Sequence, residues 1–136
     1  MERYESSTRQ VNKPASHIYN FISDFNNFGK LLPPQVTNWK CTDSECSFVI
    51  SGLPEVSLKI TEKIPDQLLK VTSASTKVPF PFSLNIHIKS LSDQQCETQV
   101  AFEGELNMMF RMMVEKPMRN FVNMLNDKLK ETAEAN

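Results

Sequence analysis

The chain has 136 residues, 40% of them hydrophobic and 23% charged, and 15 Lys and Arg residues nearly balance 16 Asp and Glu residues. A chain of this length can bury a sizeable core within one domain, and its composition excludes collagen-like, disulfide-scaffold and disordered classes. The net charge of −1 supplies no basic field for nucleic acid, so we expect no nucleic-acid partner.

The sequence carries no signal for export or for membrane insertion. Residues 1–7 mix charges of both signs and lack the apolar run of a secretory signal. No stretch approaches the roughly 20 apolar residues of a membrane span. These features predict a soluble, cytoplasmic protein with one domain over residues 1–136 and no integral membrane segment, and they leave the oligomeric state open.

The cysteine and histidine pattern predicts no metal site. Cys41, Cys46 and Cys96 form no Cys-x-x-Cys pair, and His17 and His87 lie far from them in sequence. We therefore expect reduced, partly buried thiols in a reducing compartment, and we expect no metal and no cofactor.

The first third of the chain predicts a strand followed by two short helices. Residues 2–11 contain neither Gly nor Pro and favour a strand. After Pro14 the apolar residues recur at helical spacing, and Asn26, Asn27 and Gly29 suggest a break between two helices. The apolar positions of this segment are Ile18, Phe21, Ile22, Phe25 and Phe28.

The middle of the chain predicts an antiparallel meander of six strands. Across one four-residue turn, Cys41 is expected opposite Cys46 and Trp39 opposite Phe48, which places Trp39, Phe48 and Ile50 on one face. Across a later turn, the expected pairs are Ile88 with Thr98, Ile86 with Val100, and Leu84 with Phe102.

The longest helical pattern runs from about Asn107 to Lys130, and its apolar stripe is Phe110, Val114, Pro117, Phe121 and Leu125. The order of elements predicts an α+β domain in which a curved antiparallel sheet of about seven strands wraps around this last helix. Six of the seven methionines fall between Met108 and Met124. They either form an adaptable wall of a ligand cavity or fill gaps in the core, and Met112 projects to the polar side of an ideal helix.

Two segments carry a resemblance to a known family. One is Val11-Asn12-Lys13-Pro14-Ala15 with Ile18-Tyr19, Phe21-Ile22, Asp24-Phe25, Asn27-Phe28 and Lys30-Leu31-Leu32-Pro33; the other is Ile60-Thr61-Glu62-Lys63-Ile64-Pro65 with Leu68-Leu69. Both closely resemble the START/SRPBCC superfamily, which includes START lipid-transfer domains, pollen-allergen-like proteins and polyketide cyclase or dehydrase-like proteins. The resemblance implies a helix-grip fold with a cavity between sheet and long helix, but no single activity.

The residues expected to line this cavity come from the apolar faces of the predicted strands and helices. Trp39 and Phe82 among them, together with Phe80, are candidates for the mouth of a pocket, but a plain core is the interpretation that we favour for aromatic residues on a half-buried sheet. The set is Phe25, Trp39, Phe48, Ile50, Leu58, Ile60, Phe82, Leu84, Ile86, Val100, Phe102, Phe110, Met113, Pro117 and Phe121. The segment Val78-Pro79-Phe80-Pro81-Phe82 suits either a stiff rim of the cavity or an ordinary entry into a strand.

Glu62 is the one weak candidate for catalysis. Its strand parity places it with Ile60 and Ile64 on the apolar face, where desolvation would raise the pKa of a general acid or base. A solvated carboxylate beside Lys63 is the competing interpretation, and it is the one we favour.

The sequence thus favours non-covalent binding, with transport as one use, of a hydrophobic or amphipathic small molecule such as a lipid. A cyclase or dehydrase-like enzyme is the first alternative, and a protein-interaction module with a filled core is the second.

Overall fold

The structure is a computed structural model that describes residues 2–32, 36–50, 55–74 and 81–135, with the backbone alone at Ile50. Its strands are β1 (Glu2–Glu5), β2 (Arg9–Val11), β3 (Val36–Cys41), β4 (Glu45–Ile50), β5 (Glu55–Ile64), β6 (Leu68–Ser73), β7 (Phe82–Ser92) and β8 (Gln95–Gly104). Its helices are α1 (Ala15–Ser23), a 3-10 helix (Phe25–Leu31) and α2 (Met108–Ala135).

All strands join one curved antiparallel sheet in the order β1-β8-β7-β6-β5-β4-β3, and β2 also pairs with β8. The helix-grip α+β class, the two short early helices and the six later strands are confirmed. The pairs Ile88 with Thr98, Ile86 with Val100 and Leu84 with Phe102 are confirmed as well. The strict alternation of polar and apolar residues in β7 and β8 allows these pairs to be predicted, because a slip of one residue would turn every apolar side chain outward.

The expected first strand is divided into β1 and β2. Between them, the backbone N–H of Ser6 donates to the carbonyl of Val100 at 2.8 Å, and the Ser6 hydroxyl accepts from the N–H of Val100 at 2.9 Å. A side chain thus replaces one ladder bond of β8 where the strand is interrupted. This is why the sheet has eight strands rather than about seven.

Helix α2 begins at a side-chain cap and lies against the inner face of the sheet. The Asn107 side chain accepts a hydrogen bond from the backbone N–H of Phe110 at 2.9 Å, which satisfies one of the free donors of the first turn. Pro117 lies inside the helix without ending it. The side chains that α2 buries are Val114, Met118, Phe121, Val122, Leu125, Asn126, Leu129 and Ala133.

One buried amide fixes the C-terminal half of α2 to the sheet. Asn126 accepts a hydrogen bond from the hydroxyl of Thr98 at 2.8 Å and donates to the carbonyls of Ser7 and Thr98 at 2.8 and 3.1 Å. Asn126 and Thr98 are both buried, so every polar atom of the amide is paired within the core. Two ion pairs support the same end of the helix, an exposed one between Arg9 and Asp127 and a half-buried one between Lys130 and Glu134.

Replacing Asn126 tests this connection. In Asn126→Ala the Thr98 hydroxyl and two carbonyls lose their partners inside the core, so we expect the free energy of unfolding to fall by about 2 kcal/mol. Urea denaturation measures the change, with Asn120→Ala at an exposed position of α2 as the control. Equal effects of the two substitutions would contradict this role of Asn126.

The cysteines differ from expectation. Cys41 and Cys46 lie directly opposite each other, as expected, but the structure joins them in a disulfide. The prediction of three reduced thiols was therefore wrong for this pair, because cross-strand neighbours are close enough to bond. Cys96 is free and buried, and burial raises the pKa of its thiol to about 11.

This arrangement predicts the thiol chemistry of the protein. At pH 8 the native chain should not react with iodoacetamide, because the thiolate of Cys96 forms only as the pH approaches its raised pKa of about 11. Denaturation without reductant should expose one thiol per chain, and denaturation with reductant three. Mass spectrometry of the alkylated chains counts them. Three reactive thiols without reductant would show that the disulfide is absent.

Candidate functional site

Aromatic side chains form two groups between the sheet and α2. The first group, Tyr4, Phe102 and Phe82, joins β1, β8 and β7, with ring centroids 5.7 Å apart for Tyr4 and Phe102 and 5.3 Å apart for Phe82 and Phe102. These rings stack nearly parallel, so they present flat apolar surfaces. We call them the Tyr4 row.

The second group, which we call the Phe48 row, connects the 3-10 helix to α2 through the sheet. Phe25 and Phe28 have centroids 4.6 Å apart, Phe28 is 6.4 Å from Phe48, and Phe48 is 6.1 Å from Phe121. All four rings are buried. The helical period placed Phe25 and Phe28 on the inner side of their segment, and strand parity did the same for Phe48.

Tyr4 places an unpaired polar atom in this interior. Its ring lies between Phe102 on one side and the guanidinium carbon of Arg119 on the other, which is 4.9 Å from the ring centroid. The side chain is 1% exposed, and its hydroxyl oxygen is buried without a hydrogen-bond partner in the structure. Burial, then the charges of Glu115 and Glu2, raise the pKa of Tyr4. The phenol therefore stays protonated at neutral pH and offers a hydrogen-bond donor.

Most residues expected to line a cavity are buried in this region. Phe25, Phe48, Leu58, Phe82, Leu84, Ile86, Val100, Phe102 and Phe121 are buried. Ile60, Phe110 and Pro117 are half-buried. The side chain of Ile50 and the segment Val78-Pro79-Phe80 lie outside the described residues. Sequence reasoning left Tyr4 and Phe28 out of the lining set, although the inward spacing of each residue was a usable signal.

Trp39 is not buried with Phe48. The register of β3 and β4 shifts between Thr37 and Lys40, and Asn38 adopts a positive φ of 54°. Trp39 follows this bulge on an edge strand of the sheet, and it is 48% exposed. The indole covers Gly29, where an added Cβ would come within 2.3 Å of the ring. Trp39 therefore packs on the outside of the 3-10 helix.

Four of the methionines do not face the interior. Met108, Met109, Met112 and Met113 are 74, 65, 80 and 43% exposed, and only Met118 among the six is buried. The expectation that Met113 lines the cavity is therefore wrong. The inner side of this part of α2 is occupied by Val114 and Met118, so the neighbouring positions point away from the sheet.

Glu62 lies on the outer side of the sheet. The register of β5 and β6 shifts between Ile60 and Glu62, which places Glu62 opposite Lys70 rather than beside Ile60 on the apolar face. One additional residue reverses the parity of a strand, which explains why alternation alone assigned the wrong face. The carboxylate is exposed, in agreement with the solvated interpretation.

The outer face of the sheet carries an ordered polar network. Arg3 forms ion pairs with Glu5 and Glu103, and Asn85 donates to Glu103 at 3.1 Å. The hydrogen bond from Arg3 lowers the pKa of Glu5. Beside the network lies a shallow depression of about 410 Å³ that includes His87, and burial followed by the charge of Arg3 lowers the pKa of this imidazole. His87 is thus neutral at pH 7.

The described part of the chain contains neither a metal-binding cluster nor a membrane-spanning helix. Within residues 2–32, 36–50, 55–74 and 81–135, no group of three or more His, Cys, Asp or Glu side chains is arranged to hold a metal ion. Among the helices of those same ranges, none has the length and hydropathy needed to cross a membrane.

Comparison with known proteins identifies the fold. No family model and no curated protein sequence matches the chain. Among solved structures, a truncated norcoclaurine synthase from Thalictrum flavum has a TM-score of 0.76 at 15% identity, covering 96% of this chain and 92% of that one. A START superfamily protein from Mycobacterium smegmatis has a TM-score of 0.64 at 12% identity, covering 96% and 98%. The chain therefore has a START/SRPBCC-like fold.

A third solved structure is that of a protein of this fold with bound small molecules. Norcoclaurine synthase from Thalictrum flavum, in complex with dopamine and hydroxybenzaldehyde, has a TM-score of 0.72 at 15% identity and covers 96% of this chain and 85% of that one. At these identities the similarity establishes the fold alone.

Proposed function

We propose that the protein binds a hydrophobic or amphipathic small molecule, without a covalent bond, between the inner face of the sheet and the N-terminal half of α2. The observation that carries this proposal is the buried, unpartnered hydroxyl of Tyr4 within the apolar Tyr4 row. A buried donor without a partner costs stability, so a folded protein retains one where it serves a purpose. A polar group of a bound molecule would satisfy it.

The surroundings favour a flat or flexible apolar body for this ligand. Phe82 and Phe102 offer stacked rings on the sheet side, and Val114 and Met118 offer aliphatic and thioether surface on the helix side. Burying apolar ligand surface contributes about 25 cal/mol per Å² before ordering costs. The aromatic ligands of the Thalictrum flavum enzyme lie in a protein of the same fold, which supports an aromatic compound as one candidate class.

Catalysis gains no support from the titratable groups of the described interior. Tyr4 has a raised pKa, the pKa of Cys96 is about 11, and Glu62 lies on the outer face. Neither interior group has a pKa near the operating pH, where a general acid or base is most efficient. Binding therefore ranks above the cyclase or dehydrase-like alternative.

The location of the ligand is tested by paired substitutions. Native mass spectrometry of freshly purified protein, and of protein incubated with oleate, farnesol or 2-naphthol, should show a stoichiometric adduct. Val114→Phe fills the inner side of α2 and should reduce the adduct at least about tenfold, a loss of about 1.4 kcal/mol. Val49→Phe makes the same change on the outer side of β4, next to buried Phe48, and should leave the adduct unchanged.

Two outcomes of that experiment would contradict the proposal. A clean mass without adduct under every condition would favour a filled core, as expected of a protein-interaction module. An adduct that both phenylalanine variants retain would place the ligand elsewhere on the protein.

Tyr4→Phe tests the role of the hydroxyl separately. Removing an unpaired buried donor should raise the free energy of unfolding by about 1 kcal/mol. The same change should weaken the binding of 2-naphthol, which has a hydroxyl, about fivefold. The binding of naphthalene, which has no hydroxyl, should not change. Urea denaturation and calorimetric titration measure the two effects. Equal changes for both compounds would show that the hydroxyl does not contact the ligand.

A further inference from the structure

The four exposed methionines form one continuous surface, the methionine patch (Met108, Met109, Met112 and Met113). They occupy adjacent turns of α2, on the side away from the sheet. The other large exposed apolar residues of the described chain are Trp39, Ile64 and Leu91, which lie on three separate strands. Single exposed apolar residues are ordinary, whereas a group of four on one helix face marks a contact surface.

The charges around the methionine patch are mostly positive. Residues 108–120 contain Arg111, Lys116 and Arg119 against Glu115 alone, in a chain whose net charge is −1. At 100° per residue, Lys116 and Arg119 follow Met112 on the same side of the helix. Arg119 lies 3.4 Å from Glu115, and Arg111 lies 3.4 Å from Glu2. Among the described residues, no carboxylate lies within ion-pair distance of Lys116.

We propose that the methionine patch docks the protein on the surface of a bilayer that contains anionic phospholipids. Unbranched methionine side chains adapt to an irregular apolar boundary, so Met109 and Met112 enter the region between headgroups and acyl chains. Lys116 then meets the lipid phosphates. The helix lies along the surface and does not cross the bilayer.

The positive charge favours this occupant over a second copy of the chain. A two-fold contact through the methionine patch would bring the Lys116 ammonium groups of two copies onto one interface, and their repulsion opposes association. An anionic bilayer attracts the same charges. The proposal does not require a ligand between the sheet and α2, so the adduct experiment above does not decide it.

Vesicle flotation tests the proposal with the full chain. Vesicles of phosphatidylcholine with about 30 mol% phosphatidylglycerol should bind the protein at least about tenfold more strongly than vesicles of phosphatidylcholine alone, and high salt should weaken binding. The double variant Met109→Ser with Met112→Ser, and separately Lys116→Glu, should each lower binding about tenfold. Leu91→Ser and Lys128→Glu, at other exposed positions, are the matched controls and should bind like the unaltered protein.

Three results would overturn the proposal. The first is that the protein does not bind the anionic vesicles. The second is that neutral vesicles bind the protein as strongly as anionic ones, or that the methionine variant binds anionic vesicles as strongly as the unaltered protein. The third is a concentration-dependent dimer in analytical ultracentrifugation that the methionine variant abolishes, which would assign the patch to a second copy. Circular dichroism shows whether each variant is folded. If the methionine variant does not fold, the binding of Lys116→Glu to anionic vesicles tests the proposal.

Discussion

The packing of α2 across the sheet is the constraint on which the rest of the structure depends. Phe121 stacks on Phe48 near the middle of the helix, and Asn126 bonds to Thr98 and to the carbonyl of Ser7 further along it. The apolar contact supplies most of the stabilisation because it removes large rings from water. The Asn126 amide fixes the orientation of the helix on the sheet, because its hydrogen bonds form together in only one alignment of the two.

This alignment gives α2 two different sides over its first half. Val114 and Met118 are buried on the side of the helix that packs against the sheet, and the Tyr4 hydroxyl is buried there without a partner. The methionine patch faces away from the sheet. One short segment thus borders both the proposed ligand site and the proposed membrane surface. A hydrophobic molecule that moves between a bilayer and the protein would have a short path between the two.

Two β-bulges explain the sequence expectations that the structure reverses. Trp39 follows the bulge at Asn38 and lies half exposed over Gly29, and the bulge after Ile60 places Glu62 opposite Lys70 on the outer face. Each adds one residue to a strand, so every parity argument beyond it changes sign. The alternation of polar and apolar residues breaks at both positions, at Thr37-Asn38 and at Thr61-Glu62-Lys63, but consecutive polar residues alone do not specify a bulge.

The sequence by itself determined the order of elements, the β7–β8 register and the inward positions of most aromatic side chains. These features follow from local periods of two and 3.6 residues, which any buried strand or helix must obey. Only the tertiary structure decided the bulges, the bond between Cys41 and Cys46, the unpaired hydroxyl of Tyr4 and the exposure of Met113. The environment of Tyr4 and the exposure of Met113 depend on how elements distant in sequence pack together, and periodicity within one element carries no information about its neighbour. The sequence placed Cys41 opposite Cys46, but pairing alone does not state whether the two thiols are joined.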